Sequence, residues 1–431
     1  MNEIILIVVF LSVLFMLLGS GVWVGASLIG CAIIGMELFT NRPTGDSMAI
    51  TIWGSISSWT LTSLPLFIWM GEILFRTKLS ESLFKGLTPW MYKLPGGLLH
   101  VNITGSAIFA AISGSSAATV ATVGKMSIPE LQKRKYSESM IVGTLAGAGT
   151  LGLLIPPSIS LIIYAVTVNE SIAKLFVAGI IPGLMLAGLF MAYIAIQSIY
   201  NKSGSTDDLS FNFKDKIAAL VSLLPIMSLI FCVIGSIYTG IATATEAAVI
   251  GVAGSLLIAF SQKSLNWGNF KESLMGAVKT SSMIAFILMG SHFLSLAMGF
   301  TGLPRQLAEG IGSLELSPLT LIIFLTLFYI VLGCFLDGLS SIVLTMAVIE
   351  PLVRQAGFDM IWFGIYLMVV VEMAQITPPV GFNLFVLQSM TGHNMAFIAK
   401  AAFPMFLIMI AAVFILVWFP DIVTFLPNAM G

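Results

Sequence analysis

Charge is scarce in this sequence. Only 9% of its 431 residues are Asp, Glu, Lys or Arg, where a soluble domain carries about 25%. So little charge cannot solvate a globular surface, which excludes a soluble protein. Cysteine is scarce too. Cys31, Cys232 and Cys334 fall in apolar runs without metal or disulfide spacing, and are expected as small core residues. The histidines, His100, His292 and His393, form no ligand pair and are expected in satisfied or interfacial places. No H-E-x-x-H occurs. Gly124-Lys125-Met126 lacks the Ser/Thr that closes a phosphate loop, and Thr119 stands where its first glycine belongs. Zinc proteolysis and ATP hydrolysis are unsupported, and the net charge of −1 points to no nucleic-acid partner. Met1-Asn2-Glu3 lacks the basic start of a signal peptide, so the first span is expected to be retained.

Apolar residues are abundant, at 58%, with a mean hydropathy of +1.03. Runs of about 20 apolar residues recur from end to end, which predicts an all-α polytopic membrane protein rather than an outer-membrane barrel. Spans are expected near 4–19, 21–39, 50–75, 138–167, 171–199, 217–236, 243–261, 280–301, 361–389 and 397–419. Two further stretches, about 97–124 and 319–352, carry small polar breaks at Ile112-Ser113-Gly114-Ser115-Ser116 and Leu336-Asp337-Gly338-Leu339-Ser340-Ser341. Each half is too short to span alone, so both stretches read as re-entrant helical hairpins. With both hairpins counted as net zero, alternation of the spans places 15 of the 19 Lys and Arg on one side. The other side receives only Arg42, Lys174, Arg305 and Arg354. The basic side is then cytoplasmic, and both termini lie outside. Trp90 and Trp267, each close to a lysine, read as interfacial anchors.

The chain reads as two copies of one design. Phe67-Ile68-Trp69-Met70-Gly71 returns as Phe286-Ile287-Leu288-Met289-Gly290. Each is followed by an amphipathic stretch (Leu79 to Leu94, Leu303 to Leu314), a hairpin, a Pro-Pro span and a plain span. The offsets stay close: 219 from Gly71 to Gly290, 225 from Ser115 to Ser340 and 222 from Pro156 to Pro378. The first copy covers about 1–200 and the second about 213–420, with a polar linker at 201–212 and a tail at 421–431. Five crossings per copy invert the second relative to the first, as in secondary transporters.

Pro156-Pro157 and Pro378-Pro379 sit inside apolar spans at matching positions, beside Gly147, Gly149, Gly152 and Gly381. Proline removes a backbone donor and glycine leaves helical geometry cheaply. In lipid the freed carbonyls must be buried or line a cavity. There they are hard oxygen ligands, and the new helix N-terminus favours an anion. A Ser/Gly hairpin tip facing a Pro-Pro break makes an oxygen cage for a small cation. Two inverted cages leave room for a substrate between them. Asp337 and Glu372 are the deepest carboxylates. Asp337 can bind a cation or a substrate hydroxyl, or only cap backbone amides. Glu372 can support the break, bind a cation, carry a proton, or cap. Glu246, three residues after Thr243, reads as half of a capping box.

The strings SGSSAATVATVG (Ser113 to Gly124), AGTLGLLIPPS (Ala148 to Ser158), LFVAGIIPG (Leu175 to Gly183), ATEAAVIG (Ala244 to Gly251) and ITPPVGFNLFV (Ile376 to Val386) closely resemble the large membrane subunit of TRAP transporters, the tripartite ATP-independent periplasmic systems. The resemblance implies an elevator-type importer in a bacterial inner membrane. Its substrate is an organic acid, such as a C4-dicarboxylate or sialic acid, and sodium is its coupling ion. A periplasmic substrate-binding protein delivers the acid, and a small four-helix membrane subunit braces the large one. No such extension follows here, so a separate small subunit is expected. Carried onto this sequence, one sodium cage uses Ser113, Gly114, Ser115 and Ser116 with Gly149, Thr150 and Gly152. The other uses Gly338, Ser340 and Ser341 with Thr377, Pro378 and Gly381. The substrate lies near Ser115, Thr119, Asp337 and Asn383. A single-component sodium/anion symporter of the same architecture is the alternative. An intramembrane enzyme using Asp337 and Glu372, and a passive channel, are weaker readings.

Overall fold

A computed structural model describes residues 3–77, 79–200, 211–302, 317–334, 336–378 and 381–430. The amphipathic stretch expected from Leu303 to Leu314 and most of the linker lie outside the described residues. Among the described residues every regular element is helical. Five helices are long and apolar enough to cross a membrane, six with one bent pair.

Both hairpins are present. The first has arms Leu99–Ser113 and Ser116–Lys133, and the second Pro318–Gly333 and Gly338–Gln355. The first runs well beyond the expected end at 124. Both Pro-Pro spans are broken. The first runs as Glu138–Gly149 and Leu151–Leu154, then resumes as Ile159–Val168 after a 41° bend. The second runs as Met360–Gln375 and resumes as Phe382–Thr391. The span expected at 50–75 is not one helix. It divides into Thr44–Ile56, a short 3-10 turn at Trp59–Thr62 and Ser63–Phe75. Hydroxyls crowd this junction and compete with the helical ladder. Ser55 donates to Ile52 O at 2.9 Å and Ser63 to Thr60 O at 2.8 Å.

Two bodies pack side by side. A frame joins Val24–Phe39 to Trp267–Thr301 and Ser63–Phe75 to Ala244–Ser261. Gly25 and Gly290 let two frame helices touch, since a Cβ on Gly290 would lie 2.6 Å from Gly25 O. The other body gathers the hairpins and broken helices around Met360–Gln375. That helix is apolar on all faces and buried along its length, as an interior helix must be. Contacts in this body are reciprocal. The far half of the first broken helix packs on the inner arm of the second hairpin. The far half of the second packs on the inner arm of the first.

Chain ends assigned to one side by the charge pattern do meet. Arg134 and Lys400 line one cavity, and the Lys216 ammonium lies 5.6 Å from the Trp90 ring. From the sparse side, Arg354 donates to Val168 O at 2.9 Å. The capping box is present: Thr243 N donates to Glu246 Oε2 at 2.8 Å. Cys31 and Cys334 are buried as expected, but Cys232 is exposed on the outer face of Phe213–Tyr238. His100 meets Pro95 O at 2.8 Å and His393 meets Glu138 at 3.3 Å. His292 departs from expectation, for its Nε2 is buried without a partner among the described residues.

Candidate functional site

The first tip is Gly114 and Ser115. Gly114 closes the outer arm in the left-handed region, at φ +57°, where glycine is favoured. Its position is tight, for a Cβ would lie 3.0 Å from Ile159 N and 3.1 Å from Pro157 O. The tip therefore rests on the first Pro-Pro break. Ser115 caps the inner arm through Ala118 N at 3.5 Å. Ser113 Oγ meets Thr119 Oγ1 at 3.0 Å, and Thr119 donates to Ser115 O at 2.8 Å. Ser158, at the end of the break, caps the far half through Leu161 N at 3.4 Å.

Gly149, Thr150 and Gly152 lie at a first, slight interruption, where one helix ends at Gly149 and the next begins at Leu151, and the chain opens fully only at Ile155 to Ser158. Proline, not glycine, ends the ladder here. The glycines serve packing. A Cβ on Gly152 would lie 2.6 Å from Ser116 N, and one on Gly149 would lie 2.1 Å from Val120 Cγ2. Thr150 spends its hydroxyl on Gly147 O at 2.6 Å.

The second tip and break also meet. Cys334 Sγ lies 3.5 Å from Pro378 O, and Gln375 Nε2 donates to Leu336 O at 3.4 Å. Gly381 returns on Thr377 O at 3.1 Å, and a Cβ there would lie 2.7 Å from Gln375 O. Thr377 itself donates to Met373 O at 2.6 Å. Asp337 caps the inner arm through Leu339 N at 3.2 Å and Ser340 N at 3.3 Å. Gly338, Ser340 and Ser341 are buried, and Ser341 Oγ has no partner among the described residues.

Glu372 belongs to neither second-half element alone. It is fully buried and accepts from Ser116 Oγ at the N-terminus of the first hairpin's inner arm. A carboxylate is favoured at such a terminus. Its other oxygen, and both amide atoms of fully buried Asn383, lack partners among the described residues. Asn383 Nδ2 lies 3.5 Å from the Cβ position of Gly149. The first tip is thus flanked by two polar side chains from the second half.

A cleft of about 350 Å³ separates the frame from the first tip. Ser113, Gly114, Ser115 and Ser160 face Glu72, Phe75 and Thr280 across it, and Leu339 brings the second tip to its edge. Of the four residues expected at the substrate, only Ser115 lines this cleft. Thr119 is fully buried beneath the tip, Asn383 lies behind it, and Asp337 is turned to its own helix. Sequence reasoning did not single out Ser160, whose buried hydroxyl has no partner among the described residues. Its position two residues past Ser158, in the first turn of the far half, is the signal that could have found it.

The chain matches the family described as "Tripartite ATP-independent periplasmic transporter, DctM component" over residues 11–422. It is 30% identical over 386 residues to the C4-dicarboxylate TRAP transporter large permease protein DctM of Pseudomonas aeruginosa, covering 89% of this chain and 90% of that one. It is 28% identical to the sialic acid TRAP transporter large permease protein SiaM of Vibrio cholerae, covering 96% of each. It is 30% identical to the isethionate TRAP transporter permease protein DctMQ of Oleidesulfovibrio alaskensis, covering 96% of this chain and 64% of that one. In fold it is similar to the YdaH transporter of Alcanivorax borkumensis, with a TM-score of 0.62 at 11% identity over 88% of this chain and 87% of that one. These relatives are transporter permeases. Multi-pass and set in the inner membrane, the chain belongs to the DctM component, the large membrane subunit, of the tripartite ATP-independent periplasmic transporters.

Proposed function

We propose that this subunit imports an organic acid together with sodium ions, as the cargo of an elevator built from two inverted repeats. The observation that carries this reading is the first hairpin tip seated on a Pro-Pro break at the wall of a cleft between two helical bodies. The nearness of the Ser113–Ser116 tip to the carbonyl of Pro157 supports a site of hydroxyl and carbonyl oxygens, the chemistry a sodium ion requires. The second tip and break supply a like set at Gly338, Ser340, Ser341, Thr377, Pro378 and Gly381. The anion binds at the tip side of the cleft, by Ser115. It is held by hydroxyls, helix N-termini and bound sodium, since among the described residues no Lys or Arg lines that cleft. The reciprocal packing of the broken helices supports the inverted repeat, and the meeting of basic chain ends supports a cytoplasmic side with both termini periplasmic.

The names of the relatives support a dicarboxylate or sialic-acid-like substrate. A periplasmic binding protein delivers it, and a small four-helix subunit braces this one. The test is uptake of labelled organic acids into proteoliposomes holding both membrane subunits. Sodium gradient and binding protein are each added or withheld. Uptake that requires both supports the tripartite reading. Uptake with sodium alone replaces it with a single-component symporter, and uptake without sodium overturns the coupling.

A further inference from the structure

A second and larger cavity, of about 840 Å³, lies away from the cleft and both tips. It opens between the turn after the first hairpin, the end of the helix Ile172–Tyr200 and the start of the helix Met395–Trp418. Its lining is both cationic and apolar. Lys135, Lys400 and Arg134, the last paired with Glu130 at 3.7 Å, line it, and among the described residues no Asp or Glu does. Neither Lys135 nor Lys400 has an ion-pair partner among the described residues. The nearby Glu138 is engaged elsewhere, by Gln132 at 3.0 Å and His393 at 3.3 Å. Lys135 is held outward by a left-handed backbone, φ +59°, at the turn. Apolar Leu99, Pro404 and Met405 also line the cavity, alongside Thr144, Tyr193 and Gln197.

We infer that this cavity is a binding site for an acidic phospholipid. The phosphate is held by Lys135 and Lys400, and an acyl chain lies along the apolar part of the lining. A free phosphate has no use for the apolar part, and a neutral lipid has none for the cations. The cavity sits among the basic chain ends, where a cytoplasmic leaflet presents anionic headgroups, and basic pockets between membrane helices take such lipids. The inference rests on the membrane setting and not on sodium coupling or substrate, so the two readings fail separately.

The experiment is native mass spectrometry of the purified subunit, in complex with its small subunit where the two co-purify. Wild type is compared with the Lys135→Ala/Lys400→Ala variant, with added phosphatidylglycerol, phosphatidylcholine or glycerol phosphate. Both lysines are exposed, so the variant is expected to melt at the wild-type temperature. Wild type should retain phosphatidylglycerol over phosphatidylcholine, and the variant should lose about tenfold in apparent affinity, or about 1.4 kcal/mol. Equal retention of the two lipids by wild type, or of phosphatidylglycerol by both proteins, overturns the proposal. Displacement of phosphatidylglycerol by soluble glycerol phosphate overturns the lipid assignment in favour of a free-anion site.

Discussion

The two tips share a plan and differ in what holds them. Each hairpin tip abuts the Pro-Pro break that follows it in the chain. The second is held by its own half, through Cys334 on Pro378 O and Gln375 on Leu336 O. The first rests on its own break at Pro157 and Ile159 and is also held from across the molecule. Glu372 accepts from Ser116, and Asn383 lies beside Gly149. Both carboxylates singled out in the sequence stand in the second half, yet only Asp337 serves the second tip. An asymmetry that looks like one acidic site and one neutral site is instead a carboxylate lent by one half to the other. The Ser116–Glu372 contact therefore joins the first tip to the helix that precedes the second break.

The largest expected effect breaks this link. Glu372→Ala removes the acceptor of Ser116 and leaves a buried hydroxyl unsatisfied, at about 1–3 kcal/mol for the polar group alone. Sodium-driven uptake should fall by about tenfold to a hundredfold, since 1.4 kcal/mol corresponds to a factor of ten. Glu372→Gln keeps an oxygen for Ser116 and should retain more uptake than the alanine variant. Gln375→Ala removes only the 3.4 Å contact with Leu336 and should cost less than either. If Gln375→Ala matches Glu372→Ala, the two tips are held alike and the asymmetry disappears.

Next come the glycines. Gly152→Ala drives a methyl to 2.6 Å from Ser116 N, where backbone must move. Gly338→Ala meets only the side chains of Leu153 and Val371, each at 3.0 Å, and these can turn aside. Overpacking costs about 1–3 kcal/mol, so Gly152→Ala should fall at the upper end and Gly338→Ala at or below the lower. Thermal melting of the purified subunit followed by tryptophan fluorescence reads the difference. Equal melting temperatures would mean that the first tip is no more tightly seated than the second.

Much of this was legible because it is local. Both tips, both interruptions and the Thr243–Glu246 capping box are written within a few consecutive residues. The side assignment sums many weak charge preferences, and two residues it places together, Arg134 and Lys400, line one cavity. What escaped was tertiary. Ser116 and Glu372 are 256 residues apart, and no spacing rule joins them. Gly149 and Gly152 show that a glycine has two uses, leaving a helix or admitting a neighbour, and the neighbours Val120 and Ser116 could not be read from the sequence. The break within 50–75 was missed because its apolar count is that of a span, while its hydroxyls act on the backbone.

Smaller effects sharpen the cage assignment. Ser115→Ala should raise the sodium concentration for half-maximal uptake several-fold, because Ser115 lines the cleft, while the folded yield stays unchanged. Ser340→Ala should do the same for the second cage. Unchanged sodium activation in both variants would remove the hydroxyls from the ion sites.

Smallest of all is Asp337→Ala. Its carboxylate accepts from Leu339 N and Ser340 N and lines no part of the cleft. Losing an N-cap costs about 1 kcal/mol, and this one is exposed, so the inner arm should loosen by that amount with little change in substrate affinity. Asp337→Asn keeps a capping oxygen and should restore the melting temperature. The comparison then turns on which property follows the charge rather than the cap. If Asp337→Asn melts like wild type but loses sodium activation as Ser340→Ala does, the carboxylate is an ion ligand and the second site is the acidic one. If both recover together, Asp337 is only the end of a helix. Among the described residues the single buried carboxylate is then Glu372, held in common by the two halves.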